Sequence, residues 1–214
     1  MLTPLLAAIA PVLRGRVVFT VPTREPRFVL SLDDGPHPAT TPALLDVLAR
    51  HGAHATFFLL GERATTYPDL VARIAAEGHE IGNHTWRDEP TWRLAPASFR
   101  ENLRATQRVL TAHGPVRWFR PGSGWPTHRH LAIAEEEGLR CVLGTAVAVS
   151  GAGAGTATTA RWLDPVVRRG VVVVLHEGPQ RTGVAGTVDG LLARTARRGL
   201  AAVALSELAG AQGS

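Results

Sequence analysis

The sequence predicts an α/β protein whose sheet is a distorted (β/α) barrel of about seven parallel strands. Apolar, β-rich runs alternate with amphipathic helical stretches along the 214-residue chain, a rhythm typical of parallel strands joined by crossover helices. Seven strands are one fewer than a regular eightfold barrel contains, which favours an irregular barrel. No glycine-rich dinucleotide-binding sequence follows the first strand, and this weakens the competing open, doubly wound sheet.

The elements follow one another in a regular order. Strands are predicted at residues 27–32, 55–60, 80–83, 118–120, 140–143, 171–175 and 202–205. Helices are predicted at residues 41–50, 68–77, 96–112, 128–137, 160–169 and 188–198, and glycine follows them, as is common where helices end. Residues 150–159, which are rich in glycine, alanine and threonine, are predicted as a flexible loop within the domain.

Composition excludes several chemistries. All 23 basic residues are arginine, so Schiff-base lysines and phosphate-loop lysines are absent. The arginines are dispersed along the chain, whereas nucleic-acid binding favours a clustered basic patch, so no nucleic-acid partner is expected. The single cysteine, Cys141, excludes an internal disulfide and any multi-cysteine zinc site.

The N-terminal residues 1–26 are predicted to pack as a segment on one domain formed by residues 27–214. Residues 2–13 are apolar, but Pro4 and Pro11 interrupt them and the run is too short to span a bilayer. Because the first charges follow this run instead of preceding it, a packed segment is favoured over a secretory signal. The sequence leaves cytoplasmic and cell-envelope locations both open, and it predicts no integral membrane segment and a monomer.

Polar clusters occur at the carboxyl ends of four predicted strands. Asp33-Asp34, Asn83-His84 with Asp88, Arg120, and His176-Glu177 each follow an apolar run. In parallel α/β architectures these strand ends converge on one face, where active sites are built. We therefore expect the four clusters to form one site.

The residue types indicate metal-assisted hydrolysis. Asp34, His84 and Asp88 offer one imidazole and two carboxylates, a ligand set suited to zinc or a similar divalent ion. If residues 84–88 turn helically, their spacing places His84 and Asp88 on one face. Asp33, beside a ligand, is placed to act as general base, and His176 to protonate a leaving group.

Each of these residues also has a structural interpretation. Asp88 is a candidate helix cap, and His84 a loop residue. Arg120 is placed to pair with Asp33 and keep it ionised, or to form an ion pair without catalytic consequence. Backbone N–H groups of the Gly-Ser-Gly stretch after Pro121, centred on Ser123, are placed to hold an oxyanion. Trp125 either stacks on a sugar or belongs to the core.

These motifs resemble the polysaccharide deacetylases, the nodulation-type deacetylase domain of carbohydrate esterase family four. The likeness runs from about residue 27 to the C-terminus. Leu32-Asp33-Asp34-Gly35-Pro36 is similar to the first family motif, and its resemblance implies that Asp33 is the base and Asp34 a metal ligand. The stretch from Gly78 to Thr85 is similar to the second motif, with His84 as a ligand. Phe119-Arg120-Pro121 resembles the third motif, which lines the site and holds the base, and Val174-Leu175-His176 the last, whose histidine is the general acid.

The chain departs from the family pattern at three places. Asp88 stands where the family usually has a second metal-binding histidine. Gly122 and Ser123 replace the usual Pro-aromatic pair after Pro121, which alters one wall of the substrate groove. The fourth motif, whose Asp supports the catalytic histidine, is not recognisable in residues 144–155, and Asp164 and Glu177 are the candidate substitutes.

We therefore expect a metal-dependent hydrolase that removes N-acetyl groups from an N-acetylated carbohydrate. The catalytic residues would be Asp33, His176 and Arg120, and Pro121, Ser123 and Trp125 would contact the substrate. The metal would be one divalent ion, zinc first, with cobalt or nickel as alternatives. Hydrolysis of another amide or ester, and a carbohydrate-binding protein with impaired catalysis, remain the competing hypotheses.

Overall fold

The chain folds into one parallel sheet with helices packed around it. The computed structural model describes residues 15–122, 125–148 and 156–210. Within these ranges nine strands are hydrogen-bonded in the order β1-β6-β5-β4-β3-β2-β8-β7, with β9 beside β2, and all the strand pairs are parallel. This arrangement confirms the predicted distorted (β/α) barrel. The strands are β1 (Val17–Val18), β2 (Arg27–Gly35), β3 (Thr56–Leu59), β4 (Glu80–Asn83), β5 (Trp118–Phe119), β6 (Arg140–Val142), β7 (Ala146–Val147), β8 (Val172–His176) and β9 (Ala201–Val203).

The six predicted helices are present in the predicted order but not at every boundary, and two short helices, Gly61–Thr66 and Leu205–Gly210, were not predicted. They are α1 (Thr41–His51), α2 (Gly61–Thr66), α3 (Pro68–Ala76), α4 (Pro96–Leu110), α5 (His128–Glu136), α6 (Thr156–Leu163), α7 (Val184–Arg197) and α8 (Leu205–Gly210). None of the helices in the described ranges combines the length and apolar character needed to cross a bilayer.

Several predicted boundaries are wrong. The loop predicted for residues 150–159 becomes helical at Thr156, where α6 begins, and this helix ends at Leu163 instead of at residue 169; residues 149–155 lie outside the described ranges. The last predicted strand stops at Val203 because Leu205 begins α8. Strands β1 and β7 were not predicted, since two residues are too few to establish an alternating pattern.

Alternation along the strands separates two apolar cores. Phe28, Leu30 and Leu32 of β2 pack in the larger cluster with residues of the surrounding helices. Val29, between them, belongs to a smaller cluster with Phe58 and with residues of β6, β8 and α8. Because successive side chains of a strand point to opposite faces, the first cluster lies between sheet and helices and the second inside the barrel. A strand buried on both faces accounts for the continuous apolar run of β2.

The segment before β2 takes part in the sheet. Val17 and Val18 pair with Cys141 and Val142 of β6. Arg16 forms a salt bridge of 2.7 Å with Glu135 on α5. Residues 15–26 thus pack against the domain, whereas residues 1–14 lie outside the described ranges.

The amino ends of the strands are closed by a polar network under α8. Glu80, at the start of β4, accepts hydrogen bonds from Thr56 Oγ1 at 2.8 Å and from Trp118 Nε1 at 2.9 Å. Its carboxylate also accepts the Ser206 N–H at 3.1 Å, and the Leu205 N–H donates to Thr56 Oγ1 at 2.8 Å. These bonds hold α8 against the barrel, so Leu205 contributes to the inner apolar cluster.

His79 lies at this same end, remote from His84 at the other end of β4. Its side chain is buried, and neither ring nitrogen has a hydrogen-bond partner among the described residues. The ring instead packs against those of Phe57, at 5.4 Å between centroids, and His54, at 5.8 Å. Burial, followed by repulsion from His54, lowers the pKa of His79 to about 4.

We expect acid to destabilise the protein through His79. An unfolded histidine has a pKa of about 6.5, so between pH 6.5 and pH 4 the unfolded chain binds a proton that the folded chain rejects. The free energy of unfolding should therefore fall with decreasing pH in this window, by at most about 3 kcal/mol from this group. Urea unfolding at pH 7 and pH 4.5 should give a smaller loss for His79→Phe than for the wild type. Equal losses in the two proteins would contradict this assignment.

Candidate active site

Strand register brings Asp33 and His176 together. Asp33 of β2 is aligned with His176 of β8 and with Phe58 of β3. The Asp33 carboxylate is buried, and its Oδ2 lies 3.9 Å from His176 Nε2. His176 is partly exposed. The two residues predicted as base and acid therefore stand side by side at the carboxyl end of neighbouring strands, with the imidazole reaching solvent.

Arg120 forms the buried ion pair that was predicted with Asp33. Its backbone N–H donates to the Asn83 carbonyl at 3.0 Å, which places it directly after β5 at the level of the end of β4. From there Nη1 donates to Asp33 Oδ1 at 2.5 Å and to Ser31 Oγ at 2.8 Å. The guanidinium lies over the ring of Phe58, 4.0 Å from its centroid. Because Oδ1 is engaged by Arg120, Oδ2 is the oxygen of Asp33 that faces His176.

Asp34 and His84 meet on the other side of this ion pair. Asp34 Oδ1 lies 3.3 Å from His84 Nε2. His84 Nδ1 lies 2.9 Å from the Arg120 carbonyl oxygen. A carbonyl only accepts hydrogen bonds, so Nδ1 carries the hydrogen and, in the neutral ring, the lone pair is on Nε2, towards Asp34. This is the tautomer that a metal-binding histidine requires.

Asp34 and His84 each favour the charged form of the other. Burial tends to raise the pKa of Asp34, but its hydrogen bond with His84 and the positive charges of His84, His176 and Arg63 lower it overall. Burial tends to lower the pKa of His84, but the charge of Asp33 and the hydrogen bond with Asp34 raise it overall.

Two residues in the left-handed region shape this end of the sheet. Asp34 has φ +71° and Thr85 has φ +67°. Aspartate tolerates this conformation, whereas a β-branched residue does so only under strain. Thr85 is held there by its N–H, which donates to Asn83 Oδ1 at 2.9 Å, and by its hydroxyl, which donates to the carbonyls of His84 and, at 2.9 Å, Arg87. These bonds fix the backbone on both sides of His84.

Asp88 does not join this pair in a cluster. The helical turn on which its predicted alignment with His84 depended is absent, because residues 86–88 form a bend, and Asp88 is exposed. In the ranges that the structure describes, no three histidine, cysteine, aspartate or glutamate side chains are grouped so as to hold a metal ion. Asp34 and His84 therefore fit two positions of a divalent-cation site, and the ligand role of Asp88 stays a prediction.

Neither candidate substitute for the fourth family motif supports His176. Glu177 directs its carboxylate to Thr40 and Thr41, and Asp164 pairs with Arg198 at 2.7 Å. His176 Nδ1 is buried and has no hydrogen-bond partner among the described residues. The expectation that one of these two carboxylates replaces the missing motif is wrong.

The predicted substrate wall is described only in part. Pro121 is buried, and Gly122 approaches the backbone so closely that a Cβ atom there would lie 2.9 Å from the Glu89 carbonyl oxygen. Trp125 is 36% exposed and packs on Phe19, with 6.4 Å between ring centroids. Ser123 and Gly124 lie outside the described ranges. Substrate contacts by Pro121, Ser123 and Trp125 remain predictions.

Two residues at this end were given no correct role from sequence. Arg63 of α2 donates from Nη1 to the Asp34 carbonyl oxygen at 2.5 Å and so holds the left-handed turn. It follows the end of β3 by a few residues, and the rule that polar residues cluster after parallel strands would have found it had it been applied to that strand. Glu177 is buried, and burial raises its pKa to about 7 although Thr41 and Thr40 donate hydrogen bonds to it.

Comparison with known proteins gives consistent similarities. The family model for polysaccharide deacetylases matches residues 20–142. A chitooligosaccharide deacetylase of Bradyrhizobium sp. (strain ANU 289) is 34% identical over 152 residues, which cover 70% of this chain and 69% of that protein. A peptidoglycan-N-acetylglucosamine deacetylase of Bacillus cereus is 33% identical over 175 residues, covering 81% of this chain and 63% of that protein.

A solved structure extends the similarity to nearly the whole fold. The crystal structure of the Bc1960 peptidoglycan N-acetylglucosamine deacetylase superposes with a TM-score of 0.87 at 28% sequence identity, and the match covers 93% of this chain and 95% of that chain. The matched family region includes Asp33, Asp34, His84 and Arg120 and ends before His176.

Removing the charge of Arg120 should destabilise the fold strongly. Arg120→Met leaves the Asp33 carboxylate buried without its cation, and breaking such a pair costs about 3–5 kcal/mol of unfolding free energy. In the double variant Asp33→Asn/Arg120→Met the unpaired charge is gone. Its free energy of unfolding, measured in urea, should therefore be higher than that of Arg120→Met. Arg104→Met removes a surface ion pair with Glu137 and should stay close to the wild type. A double variant as unstable as the sum of the two single variants would contradict the pairing.

Proposed function

Because the chain belongs to the polysaccharide deacetylase family, we propose that it is a metal-dependent hydrolase that removes N-acetyl groups from an N-acetylated carbohydrate. The relatives' names point to chitooligosaccharides and peptidoglycan as the substrate classes to test. The observation that carries the proposal is the buried Asp33–Arg120 pair, which stands beside His176 and adjoins the Asp34–His84 pair. The residues that we propose as base, acid and metal donors thus lie at one end of the sheet.

Asp34 and His84 would hold the metal ion. A carboxylate and a neutral imidazole suit zinc, and also cobalt or nickel. When bound, a divalent cation would polarise the acetyl carbonyl and acidify a water molecule. The Arg120 carbonyl contributes indirectly, because its hydrogen bond with His84 Nδ1 orients the ring and selects its tautomer.

Asp33 and His176 divide the proton transfers between them. Hydrolysis forms a bond from the water oxygen to the acetyl carbon and breaks the bond from that carbon to nitrogen. Arg120 donates its hydrogen bond to Oδ1 of Asp33 and not to Oδ2. Oδ2 would therefore take the proton from water. His176 Nε2, 3.9 Å away on the partly exposed ring, would give a proton to the departing amine. The products are acetate and a free amino sugar.

Acetate release from defined substrates tests the proposal. The metal-stripped protein should be assayed on acetylated chitooligosaccharides, peptidoglycan fragments and simple acetate esters, before and after addition of zinc, cobalt or nickel. Metal-dependent release from an N-acetylated glycan supports the proposal. Release from esters alone supports the alternative of another substrate class, and no release from any of them with each metal overturns hydrolysis.

Substitutions should separate metal binding from proton transfer. Asp33→Asn keeps the shape of the side chain but removes the base, so we expect bound metal near the wild-type amount and a kcat lower by about 100-fold or more. His84→Ala removes a donor and should lose both metal and activity. Elemental analysis together with acetate release measures both properties. Equal metal content and full activity in both variants would refute the assigned roles.

A carbohydrate-binding protein with impaired catalysis is the second candidate, and the exposed position of Asp88, which stands where the family usually has a metal-binding histidine, favours it. If Asp88 moves in to complete the metal site, Asp88→Asn should weaken zinc binding by about tenfold or more in calorimetric titration. Asp69→Asn, on the first turn of α3, provides a control aspartate. Unchanged zinc affinity in Asp88→Asn would remove Asp88 from the ligand set, and glycan binding without acetate release would establish the second candidate.

A further inference from the structure

Glu177 is a buried carboxylate that the proposed proton transfers do not use. Its side chain is 1% exposed. Oε2 accepts hydrogen bonds from Thr40 Oγ1 at 2.9 Å and from Thr41 Oγ1 at 2.6 Å, whereas Oε1 has no hydrogen-bond partner among the described residues. Burying a carboxylate is costly unless it is hydrogen-bonded and paired with a positive charge. Among the described residues no salt bridge joins Glu177 to a basic side chain, although the charge of Arg63 acts on it from further away.

The hydroxyls that bind Glu177 belong to the turn between β2 and α1. Thr41 Oγ1 also accepts the His37 N–H at 2.8 Å, and Thr40 Oγ1 also accepts the Gly178 N–H at 3.2 Å. Thr40 is the N-cap residue of α1, a position at which threonine usually caps its own helix. Here it makes no side-chain cap bond. The Thr40 hydroxyl therefore binds Glu177 instead of forming the cap bond that would stabilise the start of α1.

The other oxygen of Glu177, Oε1, lies close to Gly35 at the end of β2. A Cβ atom built on Gly35 would lie 1.9 Å from Glu177 Oε1 and 2.8 Å from its Cδ. Gly35 directly follows Asp33 and Asp34, at the point where the register of β2 against β3 shifts. Only a residue without a side chain fits between the end of this strand and the carboxylate.

The two contacts hold the ends of the loop that follows the paired aspartates. Glu177 lies against Gly35 on one side and binds the turn at Thr40 and Thr41 on the other. Its own N–H donates to the Asp33 carbonyl at 2.9 Å, so it is tied to β2 by backbone as well. Glu177 directly follows β8, and its carboxylate binds the loop at Thr40 and Thr41 while the neighbouring His176 side chain approaches Asp33.

We propose that Glu177 is a positioning residue, which holds the end of β2 so that Asp33 keeps its place beside His176 and Asp34 its place beside His84. This inference rests on the proposed hydrolysis. A displacement of about 1 Å at a reacting group is enough to lower a rate by up to about 100-fold. Among the described residues the Glu177 carboxylate forms no hydrogen bond with either aspartate side chain, so it acts on them through the loop.

Kinetics and metal binding test the positioning. Glu177→Ala should lower kcat about tenfold or more, leave KM within about threefold and weaken Co²⁺ binding about tenfold, because both aspartates shift. Glu177→Gln keeps the shape and one acceptor oxygen and should retain most of the activity. Glu80→Ala is the matched control, since Glu80 accepts a threonine hydroxyl at the opposite end of the sheet. It should lose stability but keep kcat and Co²⁺ affinity. If Glu177→Ala behaves like Glu80→Ala, the proposal is wrong.

A double-mutant cycle between Gly35 and Glu177, measured in the metal-free protein, gives a readout that does not depend on activity. Gly35→Ala should lower the urea midpoint by about 1 M in the wild-type background, because its methyl group meets Glu177. In Glu177→Ala the same substitution should cost less than half as much. Equal losses in the two backgrounds would overturn the contact on which the proposal depends.

The outcomes separate this inference from the proposed function. A wild-type protein that binds Co²⁺ but releases no acetate refutes the hydrolysis, and the Co²⁺ affinity of Glu177→Ala then decides whether Glu177 positions Asp34. A wild-type protein that neither binds Co²⁺ nor releases acetate overturns both. Acetate release by the wild type with an unchanged kcat in Glu177→Ala overturns the positioning role alone.

Discussion

The buried ion pair of Arg120 and Asp33 is the interaction around which the carboxyl end of the barrel is organised. The guanidinium donates to Asp33 and Ser31, two residues apart on one face of β2, and its Nε donates to the Val142 carbonyl of β6 at 3.0 Å. Strands from different parts of the sheet are thereby joined by one side chain inside the barrel. Below it the interior is filled by apolar side chains such as Val29 and Phe58, so the ion pair marks where the dry core ends and the polar site begins.

A pair of this kind is not explained by stability alone. Removing two charges from water costs several kcal/mol, and well-packed apolar residues often stabilise such positions better. Its consequence here is orientation. Arg120 binds Oδ1 of Asp33, which leaves Oδ2 towards His176, and the Arg120 carbonyl orients the ring of His84. One residue at the end of β5 thus orients Asp33 through its side chain and His84 through its backbone.

The succession of strands along the chain and the convergence of the polar clusters at one end of the sheet were predictable because parallel strands impose a simple geometry. Asp33, His84, Arg120 and His176 each follow an apolar run, and strand ends in a parallel sheet meet at one face. The location of Asp88 was not predictable in the same way. It depends on whether residues 84–88 turn helically, and the left-handed Thr85 with its bonds to Asn83 and Arg87 prevents that. The backbone conformation of residues 84–88 is therefore set by tertiary hydrogen bonds and not by local helix propensity.

The contacts of Glu177 were also not predictable from the sequence. Glu177 follows the last residue of β8, and its carboxylate binds two threonine hydroxyls instead of supporting the ring of His176. Its actual partners, Thr40 and Thr41, lie more than a hundred residues earlier in the chain, in a turn whose path the sequence pattern does not specify. Arg63 likewise reaches the Asp34 carbonyl from a short helix that was not predicted.

The long separation of these contacts bears on how the chain is made. Ser31 Oγ of the central strand donates to the Val173 carbonyl, 142 positions later, and Thr56 receives the N–H of Leu205, 149 positions later. During synthesis β2 therefore leaves the ribosome long before β8, β9 and α8 exist to cover it. Proteins dominated by such distant pairings fold slowly and expose unpaired strand edges meanwhile. The nascent chain therefore exposes the unpaired edges of β2 until β8, β9 and α8 have been synthesised.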